Sequence, residues 1–200
     1  LLPWTEPYSG LGYGVNDGAG VPIDPAVLDV TGPSAVVDWV LVELRDANDA
    51  TQVITTRPAL LHRNGAVTGT DGQSPVFLSA EAGTYHVVLR HRNHLGVMTA
   101  DALILGSSPT TVDLRTSGTT TYGSQARKDL GGGALGLWAG NSTNDGALKY
   151  AGVSNDRDPI LQRIGGLVPT ATAHGYFTED TDLSGVVKYA GATNDRDPIL

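Results

Sequence analysis

The sequence predicts a mainly β protein: an antiparallel, Ig-like β-sandwich followed by a small module built on an internal repeat. Glycine (26 residues) and proline (11 residues) combine with Ser, Thr, Asn and Asp to interrupt the chain about every 8 to 12 residues, which is the spacing of short strands joined by turns. Apolar residues at helical spacing are nearly absent. Seven short strand candidates within about 90 residues favour a sandwich.

Two segments carry the clearest strand patterns. Residues 35–44 are β-branched or apolar on both alternating faces, which predicts a central strand covered on two sides. Residues 84–92 alternate apolar and polar side chains, which predicts a half-buried antiparallel strand. Weaker strand candidates lie at 51–56, 59–62, 76–79, 96–105 and 111–115.

Changes in composition divide the chain into four segments. An N-terminal extended segment, 1–20, holds aromatic and aliphatic side chains among Gly and Pro, and the predicted sandwich covers 21–116. A Gly/Ser/Thr-rich stretch over 117–137 predicts a linker. The repeat module covers 138–200.

Composition also excludes several classes of function. The chain has no cysteine and a formal net charge of −8, which excludes disulfide frameworks, zinc ribbons and thiol catalysis and argues against nucleic-acid binding. No apolar run approaches the roughly 20 residues that a membrane helix needs, so we expect no membrane insertion. No GxSxG, HExxH or Walker motif occurs, so we expect no enzyme. His91 and His94 are candidates for a metal pair, but no third ligand lies at a recognisable spacing, which favours hydrogen bonding within a turn.

The strongest signal is a repeat near the end of the chain. Residues 149–161 read KYAGVSNDRDPIL and return at 188–200 as KYAGATNDRDPIL, so that 11 of 13 positions match at an offset of 39 residues. Such similarity lies far outside chance and predicts two copies of one structural unit.

Upstream of each copy, oxygen-bearing residues occupy loop positions 1, 3 and 5, and glycine follows at position 6. Ca²⁺ takes six to eight oxygen ligands, and a glycine at position 6 permits the sharp turn before a backbone carbonyl at position 7. The pattern therefore predicts a pair of calcium loops. The first would use Asn141, Thr143, Asp145 and the carbonyl of Ala147; the second would use Asp180, Asp182, Ser184 and the carbonyl of Val186.

Position 12, where such loops usually place a bidentate carboxylate, falls on glycine in both copies. We expect a later aspartate to complete each loop: Asp156 or Asp158 in the first copy, and Asp195 or Asp197 in the second. Since the second loop holds more carboxylates, it should bind Ca²⁺ more tightly. The alternative is a pair of Asx-rich surface turns without metal.

Asp158 and Pro159 predict the start of a short helix that ends at Gly165. Each copy would then be a calcium loop followed by a short helix. This arrangement resembles the dockerin-type repeat, which also occurs in pairs. The resemblance covers about the last 60 residues and implies calcium binding and an anchoring role, but the missing position-12 carboxylate departs from the dockerin pattern.

A second resemblance covers most of the chain. The sequences LPWTEPYSGLGY near the start, VVDWVLVELRD (36–46), RHRNHLGVMTA (90–100), LWAG (137–140) and the NDRDPIL repeats are similar to C-terminal modules of large secreted bacterial hemagglutinin- or adhesin-type surface proteins. This resemblance implies an extracellular or cell-surface location, a β-sandwich and no catalysis. It also implies a further β-strand ahead of the first of these segments, and this sequence lacks that strand.

A sandwich that lacks a strand leaves an unpaired edge, which is a template for a strand from another chain. We therefore expect a calcium-stabilised structural protein that self-associates head to tail, through residues 1–20, into a surface or released filament. Docking of that segment on its own chain is the alternative. A second functional hypothesis is a monomeric adhesion, anchoring or carbohydrate-binding module that contacts a cell-surface or glycan receptor.

Overall fold

The computed structural model describes residues 2–199 and shows a mainly β chain with antiparallel sheets. Its strands are β1 (Val36–Asp46), β2 (Val53–His62), β3 (Val67–Thr68), β4 (Gly83–His91), β5 (His94–Met98), β6 (Leu103–Leu105), β7 (Lys128–Gly131), β8 (Ala134–Gly136), β9 (Thr172–His174) and β10 (Val186–Lys188). One α-helix, α1 (Arg157–Arg163), and three 3₁₀ turns (Pro25–Asp29, Gly32–Ser34 and Asp197–Ile199) complete the elements of the described residues. The mainly β prediction is confirmed.

The chain divides into two compact units. The sheet unit comprises residues 2–90 and 97–136, and the repeat unit comprises residues 91–96 and the chain from residue 137 onward. The boundary therefore falls within the β4–β5 hairpin, whose turn belongs to the repeat unit. Among residues 2–199, no helix is both long and apolar enough to cross a membrane.

A six-stranded sheet dominates the sheet unit, in the order β3-β2-β1-β4-β5, with β6 also paired to β4. β1 pairs antiparallel with β2, placing Trp39 opposite Leu60, and with β4, placing Leu41 opposite Arg90. The strands predicted at 35–44 and 84–92 are thus confirmed as β1 and β4. The candidates at 51–56 and 59–62 join into the single strand β2.

The central strand is buried on both faces, as its apolar pattern predicts. Trp39 and Leu41 lie on one face, and Val40 and Val42 lie on the other. Burial of a large aliphatic or aromatic side chain contributes about 1.5–3 kcal/mol. The first face packs against Tyr8, Ile23, Val27 and Leu60, and the second packs against Ala59, Val67, Val76, Leu78, Val87 and Leu89.

The second large sheet that an Ig-like sandwich requires is not among the elements of residues 2–199, so the sandwich is not confirmed. The other sheets there are the two-stranded pairs β7-β8 and β9-β10. Residues 76–79 and 111–115, both predicted as strands, lie outside the assigned strands. Val76 and Leu78 nevertheless pack on the sheet, because apolar side chains can cover a face without joining its hydrogen-bond ladder.

The N-terminal segment lies on the sheet of its own chain. The Tyr8 hydroxyl donates to the Trp39 carbonyl (2.9 Å), and the Trp39 indole donates to the Pro3 carbonyl (3.0 Å). Backbone bonds from Glu6 to Val21 and from Ile23 to Trp4 hold the segment against the following residues. These bonds hold the N-terminal segment within the sheet unit of its own chain.

The stretch predicted as a linker, 117–137, contains the β7–β8 hairpin. The Arg127 guanidinium donates to the carbonyls of Leu114, Thr116 and Thr119 at 2.7–2.8 Å. These bonds fix this Gly-rich segment within the sheet unit despite its few buried side chains.

The repeat unit has a small core of its own. Ile160 of α1 and Ile164, which follows the helix as its C-cap, pack with Val187 of β10 and with Ile199, and all four are buried. Ala173 of β9 lies opposite Val187. The predicted helix is confirmed but begins at Arg157, ahead of the predicted N-cap Asp158, so Asp158 and Pro159 lie in its first turn. The second copy forms only the 3₁₀ turn Asp197–Ile199 within the described residues.

Candidate metal centre

Each repeat copy wraps a loop around one buried aspartate, which in the first copy is Asp156. Its carboxylate accepts the backbone N–H groups of Thr143 (3.1 Å) and Lys149 (2.9 Å). The Ser142 hydroxyl donates to the Asp156 carbonyl (2.5 Å). Asp156 therefore holds together the start of the loop, at Ser142 and Thr143, and its later part, at Lys149.

The second copy repeats these bonds around Asp195. Its carboxylate accepts the N–H groups of Asp182 (3.3 Å) and Lys188 (2.6 Å), and the Thr181 hydroxyl donates to its carbonyl (2.5 Å). The N–H of Thr181 donates to the same carboxylate at 2.7 Å. The sequence repeat is thus also a repeat in three dimensions.

The loop turns at residues with left-handed backbone. Gly146 and Gly185, at the predicted position 6, both have φ of 80°. Asn144 and Leu183, two residues earlier, have φ of 56° and 62°. Glycine adopts this conformation without the steric cost that a side chain carries, which is why it suits the sharp turn of the loop.

In the second copy, the fold brings three carboxylates together. Asp180, Asp182 and Asp195 each place an oxygen so that all three lie within 4.8 Å of one another. Asp180 and Asp195 are buried, whereas Asp182 is exposed. The Ser184 hydroxyl lies 3.5 Å from Asp180 Oδ1 and 3.2 Å from the Val186 carbonyl oxygen. These residues could hold a metal ion.

The clustering perturbs the acidities of the two buried carboxyls. The pKa of Asp195 is raised to about 6, chiefly by burial. The N–H groups of Lys188 and Asp182 oppose this rise in pKa, and the nearby Asp182 and Asp180 charges contribute to it. Burial also raises the pKa of Asp180, although the Arg92 guanidinium opposes that rise. Both carboxyls are therefore less acidic than a solvated aspartate, chiefly because burial disfavours their charged forms.

The structure distinguishes the two aspartates that the sequence left open in each copy. Asp156 and Asp195 lie inside the loops. Asp158 and Asp197 instead accept hydrogen bonds from the side-chain amides of Asn155 (2.7 Å) and Asn194 (2.9 Å), at the turn that follows each loop. Asp197 does not belong to the carboxylate cluster found in the described residues.

The first loop assembles a less acidic set. The Thr143 hydroxyl lies 3.5 Å from Asn141 Oδ1 and donates to Asp156 Oδ1 at 2.8 Å. Asp145 is exposed and accepts the backbone N–H of Ala147 at 3.0 Å. Three predicted ligands of this loop therefore lie close together: Asn141, Thr143 and Asp156. Only Asp156 among these three is a carboxylate.

The turn of the β4–β5 hairpin adds two buried residues that sequence reasoning missed. The Arg92 guanidinium lies 3.4 Å from Asp180 Oδ2 and donates to the carbonyls of Asp180 (3.3 Å) and Phe177 (2.5 Å). The Asn93 amide donates to the Asp180 carbonyl at 2.5 Å. These contacts span 85 to 88 residues of sequence, so no local pattern could indicate them.

The same turn contains the histidine pair. His91 and His94 approach with their Nδ1 atoms 2.9 Å apart, and both Nδ1 atoms lie within 3.1 Å of Asn93 Oδ1. The pair takes part in the hydrogen bonding of the turn. The carboxylate cluster found in the described residues contains no histidine.

Comparison with family models, curated proteins and solved structures found no match to this chain.

Proposed function

We propose that the chain is a calcium-stabilised structural protein in which a Ca²⁺ ion bound by the second loop holds the repeat unit together. The observation that carries this proposal is the cluster of Asp180, Asp182 and Asp195, whose oxygens lie within 4.8 Å of one another. Ser184 and the Val186 carbonyl add neutral oxygens beside it. An all-oxygen set of this kind suits a hard cation, whereas zinc sites usually include histidine or cysteine.

The role proposed for the ion is to replace missing positive charge. Like charges held close together with little exposure to water disfavour the ionised state, and Arg92 contributes a single cation to this cluster. A divalent cation would neutralise most of the remaining charge. Because Asp180 and Asp195 lie at opposite ends of the loop, such an ion would close a segment of about fifteen residues and stabilise it as a cross-link does.

The test is calcium titration of the chelator-stripped full chain by calorimetry, with thermal unfolding followed in parallel. We expect Ca²⁺ to bind and to raise the unfolding temperature, since a ligand at 100 times its Kd adds about 2.7 kcal/mol to stability. Asp182→Asn should weaken binding at least about tenfold while preserving the fold, because Asp182 is exposed. The matched control is Asp29→Asn, an exposed aspartate of the sheet unit, which should leave calcium binding unchanged. Absence of both binding heat and thermal shift at millimolar calcium would refute the proposal.

Assembly into an extracellular head-to-tail filament stays a prediction from sequence, as does the alternative of a monomeric adhesion or carbohydrate-binding module. With residues 2–20 packed on their own sheet, insertion into a neighbour would first require that segment to leave Trp39. Size-exclusion chromatography and negative-stain microscopy with and without chelator separate the two hypotheses. Calcium-dependent polymers would support the filament, and a stable monomer under all conditions would refute it.

A further inference from the structure

The two histidines that flank the turn of the β4–β5 hairpin lie side by side. Only Arg92 and Asn93 separate the end of β4 at His91 from the start of β5 at His94. A two-residue hairpin turn places the residues on either side of it directly opposite each other, with their side chains on the same face of the hairpin. The two rings accordingly meet edge to face, with their centroids 4.6 Å apart.

The same turn brings an amide oxygen to this pair. His91 Nδ1 and His94 Nδ1 lie 2.9 Å apart, and Asn93 Oδ1 lies 3.1 Å from the first and 2.8 Å from the second. The Asn93 amide nitrogen donates to the Asp180 carbonyl, which fixes the orientation of the amide and leaves its oxygen toward the histidines. The structure thus supplies the third oxygen or nitrogen atom that the sequence pattern did not reveal.

Hydrogen bonds cannot satisfy all three of these contacts at once. Each contact needs one proton between its two atoms, but the Asn93 oxygen can only accept, and each Nδ1 atom carries at most one proton. With one Nδ1 protonated, the other Nδ1 and the oxygen face each other as two acceptors. With both protonated, two N–H groups face each other. A cation among the three atoms removes this conflict, because each atom can then direct a lone pair at it.

The spacing of the three atoms suits a first-row transition metal ion. Two ligands that each lie about 2.0–2.1 Å from one zinc ion are about 2.8–3.4 Å apart, from a right-angled to a tetrahedral arrangement. The three observed distances, 2.8–3.1 Å, fall in the lower part of this range. Imidazole nitrogens are ligands for zinc, copper, nickel and iron, whereas calcium takes oxygen ligands.

The surroundings of the three atoms combine a buried base with a side that solvent reaches. His91 and Asn93 are buried, whereas His94 is half-buried. The positive charge of Arg92, the other residue of the turn, is offset by Asp180 Oδ2, which lies 3.4 Å from the guanidinium. An ion can therefore approach from the side of His94.

We propose that His91, Asn93 and His94 form a binding site for Zn²⁺ in which the two Nδ1 atoms and the Asn93 side-chain oxygen are the ligands. The ion takes the place of the Nδ1 proton in the turn and leaves a fourth coordination position for water. This site differs from the calcium site proposed above, because it uses nitrogen ligands from a single hairpin turn and shares no ligating side chain with the second loop.

The test is a Zn²⁺ titration of the full chain, isotope-labelled at the histidine nitrogens and followed by NMR, with excess calcium present to compete for the carboxylate cluster. The Nδ1 signals of His91 and His94 should shift together and reach saturation at one ion per chain. The control signals, which should not shift, are those of His62, His86 and His174. Any result in which the two Nδ1 signals fail to shift together at submillimolar Zn²⁺ would overturn the proposal.

A pair of variants supplies a second readout by calorimetry. His94→Gln should weaken zinc binding at least about a hundredfold, since loss of a residue that only supports a metal ligand already costs about 10–100-fold. The matched control is His174→Gln, which removes an exposed histidine of the same unit and should leave the zinc affinity unchanged. Equal zinc affinities of the two variants would overturn the proposal.

The NMR titration uses the wild-type chain, so it decides the question even where His94→Gln does not fold. The outcome is also separate from that of the calcium proposal, because calcium binding is measured in the absence of zinc and through different side chains.

Discussion

Acidification should stabilise the ion-free repeat unit, because Asp195 binds a proton more tightly in the folded chain than in the unfolded one. Its pKa is raised from 3.8 to about 6, so the stabilisation is fully present below pH 3.8 and is lost as the pH rises through 6. At 1.36 kcal/mol per pKa unit, the full effect is about 3 kcal/mol. Between pH 7.5 and pH 5, the same linkage gives a gain of about 1.4 kcal/mol. Asp180, whose pKa is also raised, acts in the same direction.

The assay is amide hydrogen exchange followed by mass spectrometry on peptides covering 172–195. After correction for intrinsic exchange rates, it measures how the stability of the repeat unit changes between pH 7.5 and pH 5. Asp195→Asn should remove most of the pH dependence. Saturating calcium should reverse its sign, since protons then compete with the ion for the same oxygens. Equal protection at pH 5 and pH 7.5 in chelator would show that the Asp195 carboxyl is not perturbed in this way. The carboxyls with lowered pKa do not interfere, because they are ionised at both pH values and lie in the sheet unit: Asp17, Asp49, Asp71 and Asp113.

Three substitutions test the packing of the two units by urea unfolding. Tyr8→Phe should cost about 1–2 kcal/mol, because the buried carbonyl that accepts its hydroxyl loses a donor. Ile160→Ala should cost about 2–5 kcal/mol through the cavity it leaves, while the exposed control Val153→Ala should change stability by less than about 0.5 kcal/mol. Arg92→Met should cost about 3–5 kcal/mol, since it leaves the buried Asp180 carboxylate without its ion-pair partner. A cost below about 0.5 kcal/mol for any of these three would contradict the contact assigned to it.

Sequence patterns predicted the elements whose signals are local. The apolar run at 35–44 predicted a strand buried on both faces, and β1 is buried in this way. Asp158, Pro159 and Gly165 predicted a short helix, and α1 forms there. These predictions succeed because strand alternation and helix-end signals depend only on neighbouring residues.

Patterns that depend on a distant partner were less informative. Residues 76–79 have strand-like composition, yet only Val76 and Leu78 pack on the sheet, and the segment has no assigned strand. Strand formation requires a free sheet edge in the right register, and composition does not specify that edge. For the same reason, a sandwich predicted from strand count alone was not confirmed.

By itself, the sequence determined the repeat, its 39-residue offset and the order of oxygen-bearing residues around each glycine turn, because all of these are written along a single stretch of chain. Only the tertiary structure decided which aspartate enters each loop. It placed Asp195 with Asp180 and Asp182, and it placed Asp197 against Asn194. It also brought Arg92 to Asp180 across 88 residues. These choices depend on distances between atoms far apart in sequence, which the folded chain sets and which no spacing along it encodes.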